Sequence, residues 1–183
     1  MLRKSNKSVP SFNQSCRNLL LSTPFLLAAT QLGAKTNLAQ PTQATLPRVD
    51  GDIALTNAGD AAVFDAQILD ALPQISFTTS TIWTDKPRTF SGPALLDVLK
   101  HVGSDAAQVT ATVANNYSVD IDRALIEERA PIIANRIDGE ALSIRENGPL
   151  WVVFPYDEDP KYRTEPIYAV SVWQLERLTV TQI

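Results

Sequence analysis

The hydrophobic residues of this chain are spaced mostly as in β-strands. Between residues 109 and 113, valine and alanine alternate with threonine, which predicts a strand with one buried face. Residues 75–81 are rich in β-branched side chains, and Leu178 and Val180 keep the two-residue period near the end of the chain. Residues 150–154 are continuously apolar, as in a strand buried on both faces. The pattern therefore predicts a fold built mainly from β-structure.

Two short helices are predicted between the strands. Asp65 is suited to cap the first helix, which Pro73 is expected to stop. The second is predicted to open at the Ser-Gly-Pro sequence of residues 91–93 and to end at Gly103. The residues of these helices that are expected to face the core are Ile68, Leu69, Leu72, Leu95, Leu96, Leu99 and Val102.

Short strands and turns are predicted for much of the remaining chain. Residues 53–56 and 132–137 are expected to be extended, and Asp122 is suited to cap a helix that runs to residue 128. The Asp-Gly pair at 138–139 predicts a tight hairpin turn.

Two polar segments are expected on the surface. One is a turn at residues 145–148, and the other is the charged stretch at 156–165, which has the length of a loop or lid. With no internal repeat, the elements together predict a single α+β domain with a mixed, barrel-like β-sheet and short helices.

The N-terminal residues have the pattern of a secretory signal. Several basic residues precede an apolar run at 19–34, and small residues follow it. The run is too short and too interrupted by polar residues to span a bilayer comfortably, so we expect cleavage after Ala34 or Ala39. Residues 1–39 are thus predicted to be a signal peptide, residues 40–50 a flexible lead and residues 51–183 the domain.

Charge and composition exclude several classes of function. The whole chain carries a net charge of −4, and the expected signal holds five bases and no acid, so the mature charge is −9. A chain this acidic repels nucleic acid and anionic lipid. Cys16 lies in the expected signal, so the mature protein has no thiolate ligand or disulfide. His101, alone of its kind, is expected in the last turn of the second helix, so neither a metal cluster nor a nucleophilic hydrolase site is indicated.

Aromatic rings beside polar loops are the remaining candidates for ligand binding. Trp83 lies at a strand end next to a polar loop, so it is expected either to contact a ligand or to anchor the loop. Trp151 falls in the apolar run and is expected in the core, while Trp173 falls between these two cases. Arg136 and either Asn115 or Asn116 have the hydrogen-bonding groups to recognise the edge of a ligand, although an arginine in a strand also suits a solvated position or a surface ion pair.

Residues 133–155, IANRIDGEALSIRENGPLWVVFP, resemble the sulfite oxidase type of molybdopterin-binding domain in their turn glycine, their Gly-Pro-Leu and their apolar strand closed by proline. The closing SVWQLERLTV resembles the last strand of that family. With the strand, tryptophan and helix around Trp83, the likeness covers nearly the whole mature chain and implies the fold of that family. In its molybdenum enzymes, a cysteine four residues before such a tryptophan ligates the metal. Thr79 stands at that place here, so the resemblance implies that the thiolate ligand is missing.

Short, exported forms of this domain without the cysteine are similar to the periplasmic pterin-binding regulators. The likeness is best at TTSTIWT, NNYSV, GPLWVVFPYDEDP and SVWQL. It implies a periplasmic protein without catalytic residues that binds a reduced pterin without molybdenum. It also implies control of a membrane-bound cyclic-di-GMP cyclase or phosphodiesterase, through the periplasmic sensor domain of that protein. The residues implied at the ligand are Trp83 and Trp173 against the ring system, with Asn115, Tyr117, Arg136 and Tyr156 as polar contacts.

Two other functions stay open at this point. One is an oxidoreductase subunit that carries molybdopterin without a protein thiolate. The other is a degenerate domain that is retained only for contact with another protein. Ligand binding would distinguish the pterin-binding regulator and the oxidoreductase subunit from a degenerate domain. Bound molybdenum would distinguish the oxidoreductase subunit from the regulator.

Overall fold

Strands dominate the part of the chain that the structure describes. The structure is a computed structural model, and it describes residues 38–44, 46–105 and 107–182. The predicted signal peptide therefore lies outside the described residues, apart from Leu38 and Ala39. Among the described residues, no helix has the length and hydrophobicity needed to cross a bilayer.

Short strands and helices alternate along the chain, and the α+β class is confirmed. The strands are β1 (Arg48–Gly51), β2 (Ala62–Val63), β3 (Gln74–Thr79), β4 (Arg88–Pro93), β5 (Gln108–Val113), β6 (Ser118–Asp122), β7 (Ile132–Ala134), β8 (Arg136–Ile137), β9 (Glu140–Ala141), β10 (Trp151–Val153) and β11 (Leu175–Thr181). The α-helices are α1 (Ala66–Ala71), α2 (Leu95–His101) and α3 (Glu165–Val170). Single 3₁₀ turns occupy Arg123–Leu125, Ile144–Glu146 and Pro160–Tyr162.

The largest sheet brings the two ends of the described chain together. Its strand order is β2-β1-β11-β5-β6. β1 runs parallel to β11 and the other neighbours are antiparallel, so the sheet is mixed, as predicted. In β5 the alternation predicted from the sequence is confirmed, because Val109, Ala111 and Val113 are buried and the residues between them are partly exposed.

The first strand lies earlier than predicted. No strand forms at residues 53–56, and β1 begins at Arg48, inside the segment 40–50 for which we expected a flexible lead. The packed domain thus starts before the boundary placed at residue 51. The reason is tertiary, since Val49 pairs with Leu178 of β11 and both side chains are buried. A strand whose partner lies at the far end of the chain has little local signal.

A second, antiparallel sheet carries the polar loop that contains Trp83. Its order is β3-β4-β8-β9. The hairpin turn predicted at residues 138–139 joins β8 to β9, and both of its residues have positive φ. β7 and β10 form a separate antiparallel pair, so within the described residues the sheets do not close into a barrel.

The sequence at residues 91–93 ends β4 and does not open a helix, so that prediction was wrong. α2 begins at Leu95, after Ala94. Gly92 belongs in the strand because β4 crosses β7 closely. A Cβ atom at this position would lie 2.0 Å from the carbonyl oxygen of Ile133. The glycine therefore serves close backbone approach and not the start of a helix. The end of the helix is as predicted, at Gly103 with a φ of +68°.

The helix predicted from Asp122 to residue 128 is reduced to one 3₁₀ turn. Asp122 does act as a cap, because its side chain accepts a hydrogen bond from the backbone N–H of Ala124. The turn then ends at Ile126, whose N–H donates to the carbonyl oxygen of Arg123. The segment has no repeating apolar face to hold further turns against the core.

One hydrophobic core joins the helices and sheets. The three residues of β10 are fully buried, as predicted, and Trp151 is among the largest buried side chains. The ring of Phe90 from β4 packs edge-on against Trp151 at 5.4 Å between centroids. The core therefore passes directly beneath the sheet that carries the Trp83 loop.

Asp65 fastens the N-terminal segment to α1. As predicted it caps the helix, accepting from the backbone N–H of Ile68 at 2.9 Å. Its other oxygen accepts from the backbone N–H groups of Thr42 and Gln43, at 2.7 and 3.2 Å. The Ile68 bond is the largest cause that holds the pKa of this buried carboxyl below its ordinary value of 3.8, and the Thr42 bond is the next.

Because the pKa of Asp65 is depressed in the folded protein, its contribution to stability is present above pH 3.8 and is lost as the pH falls through the folded-state pKa. In Asp65→Asn, the melting temperature is expected to be lower at neutral pH and to fall less than in the wild type between about pH 4 and pH 2. Thermal melts over that range measure the difference. The exposed residue Asp60 gives the matched control, Asp60→Asn, in which the acid dependence should follow the wild type.

Candidate functional site

An aromatic cluster surrounds Trp83. The ring of Trp83 meets those of Trp151, Tyr156, Tyr168 and Trp173 edge-on, with centroid distances of 5.8, 6.4, 5.9 and 5.6 Å. These rings come from the loop after β3, from β10 and the residues after it, from α3, and from the residue pair before β11. Long-range packing thus brings together tryptophans that are far apart in sequence, and it fixes the position of Trp83.

A cleft of about 520 Å³ opens beside Trp83, and we call it the tryptophan cleft. Trp83 is half-buried and forms part of its wall together with Trp151 and Ile137. The polar residues that line it are Thr84, Asp85, Lys86, Arg88, Glu146 and Asn147. They come from the loop after β3 and from the turn before β10. The cleft therefore combines an aromatic wall with charged and amide groups of both hydrogen-bonding types.

The charges of the tryptophan cleft differ in how they are held. Arg88 forms an ion pair through its Nε atom with Asp138 of the hairpin turn. The backbone N–H of Thr89, and then Arg88, lower the pKa of Asp138. Asp85, Lys86 and Glu146 are exposed, and the described residues contribute no ion-pair partner to Asp85 or Glu146. Among the described residues none of these three groups is held by an ion pair, and Glu146 accepts a hydrogen bond of 3.1 Å from the hydroxyl of Ser143.

Thr79, for which the resemblance implies the place of a metal-ligating cysteine, is fully buried. Its hydroxyl oxygen accepts a hydrogen bond of 3.0 Å from the backbone N–H of Asp157 and donates weakly, at 3.3 Å, to the carbonyl oxygen of Ser80. Asp157 in turn accepts from the backbone N–H of Ser80 at 2.6 Å. The hydroxyl thus joins the end of β3 to the segment after β10 and is not directed into the tryptophan cleft.

Thr79→Val is expected to lower the free energy of unfolding by about 1–2 kcal/mol, because the N–H of Asp157 loses its acceptor while the shape of the side chain is kept. Urea unfolding measures the loss. Thr79→Ser should restore most of it. The neighbouring Thr78 is exposed and bonds only the hydroxyl of Thr89, so Thr78→Val should change stability by less than about 0.5 kcal/mol. Equal effects at the two threonines would contradict the role assigned to Thr79.

The segment at 156–165, predicted to be a loop or lid, is fastened at two places. Asp157 bonds the end of β3, as described above. Further along, Lys161 pairs with Glu127 at 2.7 Å and lies over the ring of Tyr162, 4.7 Å from its centroid. Tyr162 also donates its hydroxyl to Glu127 at 3.0 Å. The segment is therefore fixed to the rest of the domain at two places and includes the 3₁₀ turn Pro160–Tyr162.

Tyr156, predicted to be a polar contact, supports the cluster from behind. It is 1% exposed, and its ring stacks on Tyr168 at 5.0 Å with an interplanar angle of 27°. Its hydroxyl group has no well-formed hydrogen bond among the described residues. Burial raises the pKa of this hydroxyl, and the nearby Ser171 offsets part of the rise. The ring packs against Trp83, but Tyr156 does not line the tryptophan cleft.

Trp173 connects the aromatic cluster to a second, smaller cleft of about 120 Å³. Asn115 and Tyr117, two further residues predicted at the ligand, line that cleft together with Trp173. The side chain of Asn115 accepts a hydrogen bond from the backbone N–H of Tyr117, so it shapes the turn between β5 and β6. Three of the predicted residues therefore meet here, in a cleft that shares no lining residue with the tryptophan cleft.

Arg136 lies away from both aromatic clefts. Its guanidinium group makes a two-fold ion pair with Asp70 of α1, with both N–O distances at 2.7 Å. That pair lowers the pKa of Asp70. Neighbouring residues of a strand point to opposite faces, so Ile137 lines the tryptophan cleft while Arg136 lines an apolar cleft of about 250 Å³ on the other face. The ion-pair alternative for Arg136 is the one that the structure shows.

Sequence reasoning missed the polar lining of the tryptophan cleft. Asp85 and Lys86 lie in the loop predicted after Trp83, and Glu146 and Asn147 lie in the turn predicted at 145–148. Both segments were recognised as polar surface segments. The one feature of the sequence that could have indicated Asp85 and Lys86 as lining residues is that they closely follow Trp83 in the chain. That the two loops meet at one cleft depends on tertiary packing.

Comparisons with known proteins support the fold. The chain is similar to the solved structure of the sulfane dehydrogenase SoxCD from Paracoccus pantotrophus, with a TM-score of 0.57 and 16% sequence identity. The likeness confirms the predicted α+β fold, although the described sheets do not close into the predicted barrel-like arrangement. The fold is that of the sulfite oxidase type of molybdopterin-binding domain. The match covers 80% of this chain but only 40% of the solved chain, so it concerns one part of the dehydrogenase. No protein-family model matches the chain, and no curated protein does.

Proposed function

We propose that this domain is a non-catalytic protein that binds a reduced pterin in the tryptophan cleft. The observation that carries the proposal is the half-buried Trp83 at the wall of a cleft with polar groups. The volume of about 520 Å³ lies within the range of about 300–1,000 Å³ that is usual for small-molecule sites. A pterin is a flat bicyclic ring system, and stacking of such a ring on an aromatic side chain contributes about 1–3 kcal/mol.

The polar lining suits the edge of a pterin. The amino-pyrimidinone edge of the ring presents adjacent N–H donors, as a guanidinium group does, and a carboxylate accepts two such donors at once. Asp85 and Glu146 supply exposed carboxylates at the cleft, and Asn147 supplies an amide that both donates and accepts. The proposed ligand contacts are therefore Trp83 and these residues. The other residues predicted at the ligand do not line the tryptophan cleft, and they are Asn115, Tyr117, Arg136, Tyr156 and Trp173.

Thr79 supports binding without redox catalysis. The residue does not fit a thiolate-anchored molybdenum, because its one oxygen is buried and already accepts the N–H of Asp157. Among the described residues, no group of three or more histidine, cysteine or acidic side chains is placed to hold a metal ion. The proposal accordingly assigns no redox step to the side chains of this domain.

Calorimetric titration of the purified protein with tetrahydrobiopterin, under anaerobic conditions, tests the binding. We expect one site per chain and a dissociation constant of about 1–100 μM. The fully oxidised biopterin serves as a comparison, since it presents the same edge in a different ring state. Absence of heat at ligand concentrations up to about 1 mM would overturn the assignment of the cleft to pterins.

The regulatory part of the proposal is that the protein acts in the periplasm on a membrane-bound cyclic-di-GMP cyclase or phosphodiesterase. Its support is the resemblance of residues 78–84 and 148–160 to the periplasmic pterin-binding regulators, together with the predicted signal at 1–39. Deleting this protein is expected to change cellular cyclic-di-GMP, and deleting the membrane partner as well should abolish the difference. Unchanged cyclic-di-GMP would reject the regulatory role and leave pterin binding to the calorimetric test.

A molybdopterin-carrying oxidoreductase subunit is the second candidate, and one observation favours it. Lys86 and Arg88 line the tryptophan cleft, and such bases suit the phosphate group that molybdopterin carries. Metal analysis of protein purified from its native source discriminates between the two, because this candidate requires stoichiometric molybdenum. Molybdenum at one atom per chain, with activity toward an electron acceptor, would replace the first proposal.

A further inference from the structure

β3 presents an open edge of the second sheet. It pairs with β4 on one side, and no other strand of the described residues pairs with it. The N–H and C=O of Thr89 in β4 face Asp138, so the residues on either side of it, Arg88 and Phe90, turn their backbone groups toward β3. In the register of the two strands, Arg88 pairs with Thr79 and Phe90 pairs with Phe77. The backbone N–H and C=O groups of the alternate residues of β3 therefore point away from β4.

The outward residues are Gln74, Ser76 and Thr78, and all three are exposed. Ser80, two residues further along, confirms this alternation, because its N–H points to the same side and donates to the carboxylate of Asp157. No hydrogen bond of the described residues involves the outward N–H and C=O groups at 74, 76 and 78. The open edge is thus bounded by Pro73, which has no N–H, and by the Asp157 carboxylate.

The open edge lacks the features that usually keep strand edges apart. Residues 74–79 carry no charge and no proline, and β3 is paired to β4 in unbroken register. β6, one of the two edge strands of the largest sheet, differs because its exposed residues include Asp120 and Asp122. Charged edges repel a second strand, and β3 does not. A neutral edge that carries its own donors and acceptors suits a second neutral strand.

We propose that β3 pairs in antiparallel fashion with β3 of a second copy of this chain, around a two-fold axis at Ser76. In this register Ser76 faces Ser76 of the second copy, and Gln74 faces Thr78 of the second copy. Every outward backbone group of the open edge then has a partner, and pairing stops at Pro73 and at Asp157 on both sides. The two four-stranded sheets become one continuous sheet, and the interface is self-complementary, as a two-fold dimer requires.

The side chains on the inner face agree with this register. Ile75 faces Phe77 of the second copy and is only partly buried in a single chain, whereas Phe77 is buried. Pairing covers the exposed part of Ile75 with an aromatic neighbour, a favourable cross-strand combination. A second copy is therefore a better occupant of the edge than a charged peptide. The short length of β3 predicts a weak dimer, with half-association at about 10–500 μM.

Cross-linking of Ser76→Cys in a Cys16→Ser background tests the register. Facing residues of a hydrogen-bonded antiparallel pair have Cα atoms about 5.5 Å apart, within the range of about 4.4–6.8 Å that a disulfide spans. Under mild oxidation at about 200 μM protein, most of the variant is expected to become a disulfide dimer. Ser118→Cys on the edge strand β6 is the matched control and should stay monomeric. No cross-link at Ser76, or equal cross-linking at both sites, would overturn the proposal.

Sedimentation equilibrium tests the association without a cross-link. The wild type is expected to move from monomer to dimer between about 5 and 500 μM, and Ser76→Pro should remain monomeric over the same range. Proline is tolerated there because the N–H that it removes points outward and pairs with nothing in a single chain. Ser76→Lys, which places two like charges face to face, is the second variant and should have the same effect. A dimer that persists in both variants uses another surface and contradicts the inference, as does a wild type that stays monomeric.

Discussion

Trp83→Ala is expected to weaken the binding of tetrahydrobiopterin by about 5- to 150-fold, because an aromatic stacking contact contributes about 1–3 kcal/mol. Trp83 lines the tryptophan cleft with a half-buried ring, and the rings of Trp151 and Trp173 hold it in place edge-on. Calorimetric titration at a temperature well below the melting transition of the variant measures the loss. Trp83→Phe keeps a smaller ring and should lose less affinity than the alanine variant.

Two control variants make this result specific to the tryptophan cleft. Arg136 pairs with Asp70 on the opposite face of the sheet, so Arg136→Ala should leave the affinity within about two-fold of the wild type. Tyr117 is 57% exposed and lines the separate, smaller cleft at Trp173, so Tyr117→Ala should have equally little effect. If Arg136→Ala or Tyr117→Ala weakened binding as much as Trp83→Ala, the ligand would lie elsewhere than in the tryptophan cleft.

Gly92→Ala is expected to lower the free energy of unfolding by about 3 kcal/mol or more, since forced overpacking typically costs about 1–3 kcal/mol and backbone atoms cannot move aside as a side chain can. The added Cβ atom would lie 2.0 Å from the carbonyl oxygen and 2.8 Å from the carbonyl carbon of Ile133. Relief requires β4 and β7 to separate, which would also open the core around Phe90. Urea unfolding of the purified variants measures the change.

Gly59→Ala is the matched control for this prediction. No atom lies within 4 Å of a Cβ at that position, so its only cost is the positive φ of +66°. That strain is worth about 1–2 kcal/mol. A loss at Gly92 no larger than the loss at Gly59 would show that β4 and β7 can separate easily and that the crossing is not tightly packed.

The sequence predicted elements well where the signal was local. The alternating side chains of β5, the buried run of β10 and the Asp-Gly turn at 138–139 were all found, because period and turn chemistry depend on neighbouring residues. The cap at Asp65 was found for the same reason. Its second role, which holds Thr42 and Gln43, was not visible, because those residues are distant in the chain and carry no apolar pattern.

The predicted ligand residues show the limit of the same reasoning. Trp83 and Trp173 do meet, because both belong to aromatic packing that large rings favour wherever they come together. Arg136 does not join them, since it lies one residue from Ile137 and therefore on the opposite face of the sheet. Asn115 and Tyr117 line a separate, smaller cleft together with Trp173. Residue type alone gave no means to tell these three situations apart.

By itself, the sequence determined the α+β class and the positions of most strands and turns, while its resemblance implied a hydroxyl, that of Thr79, in place of a thiolate. Only the tertiary structure decided that this hydroxyl is occupied by Asp157, that Gly92 serves a strand crossing, and which polar residues face Trp83. The physical reason is that side-chain period and turn preference act between neighbours in the chain. A cleft, in contrast, is formed by residues that meet only after distant strands have paired and packed.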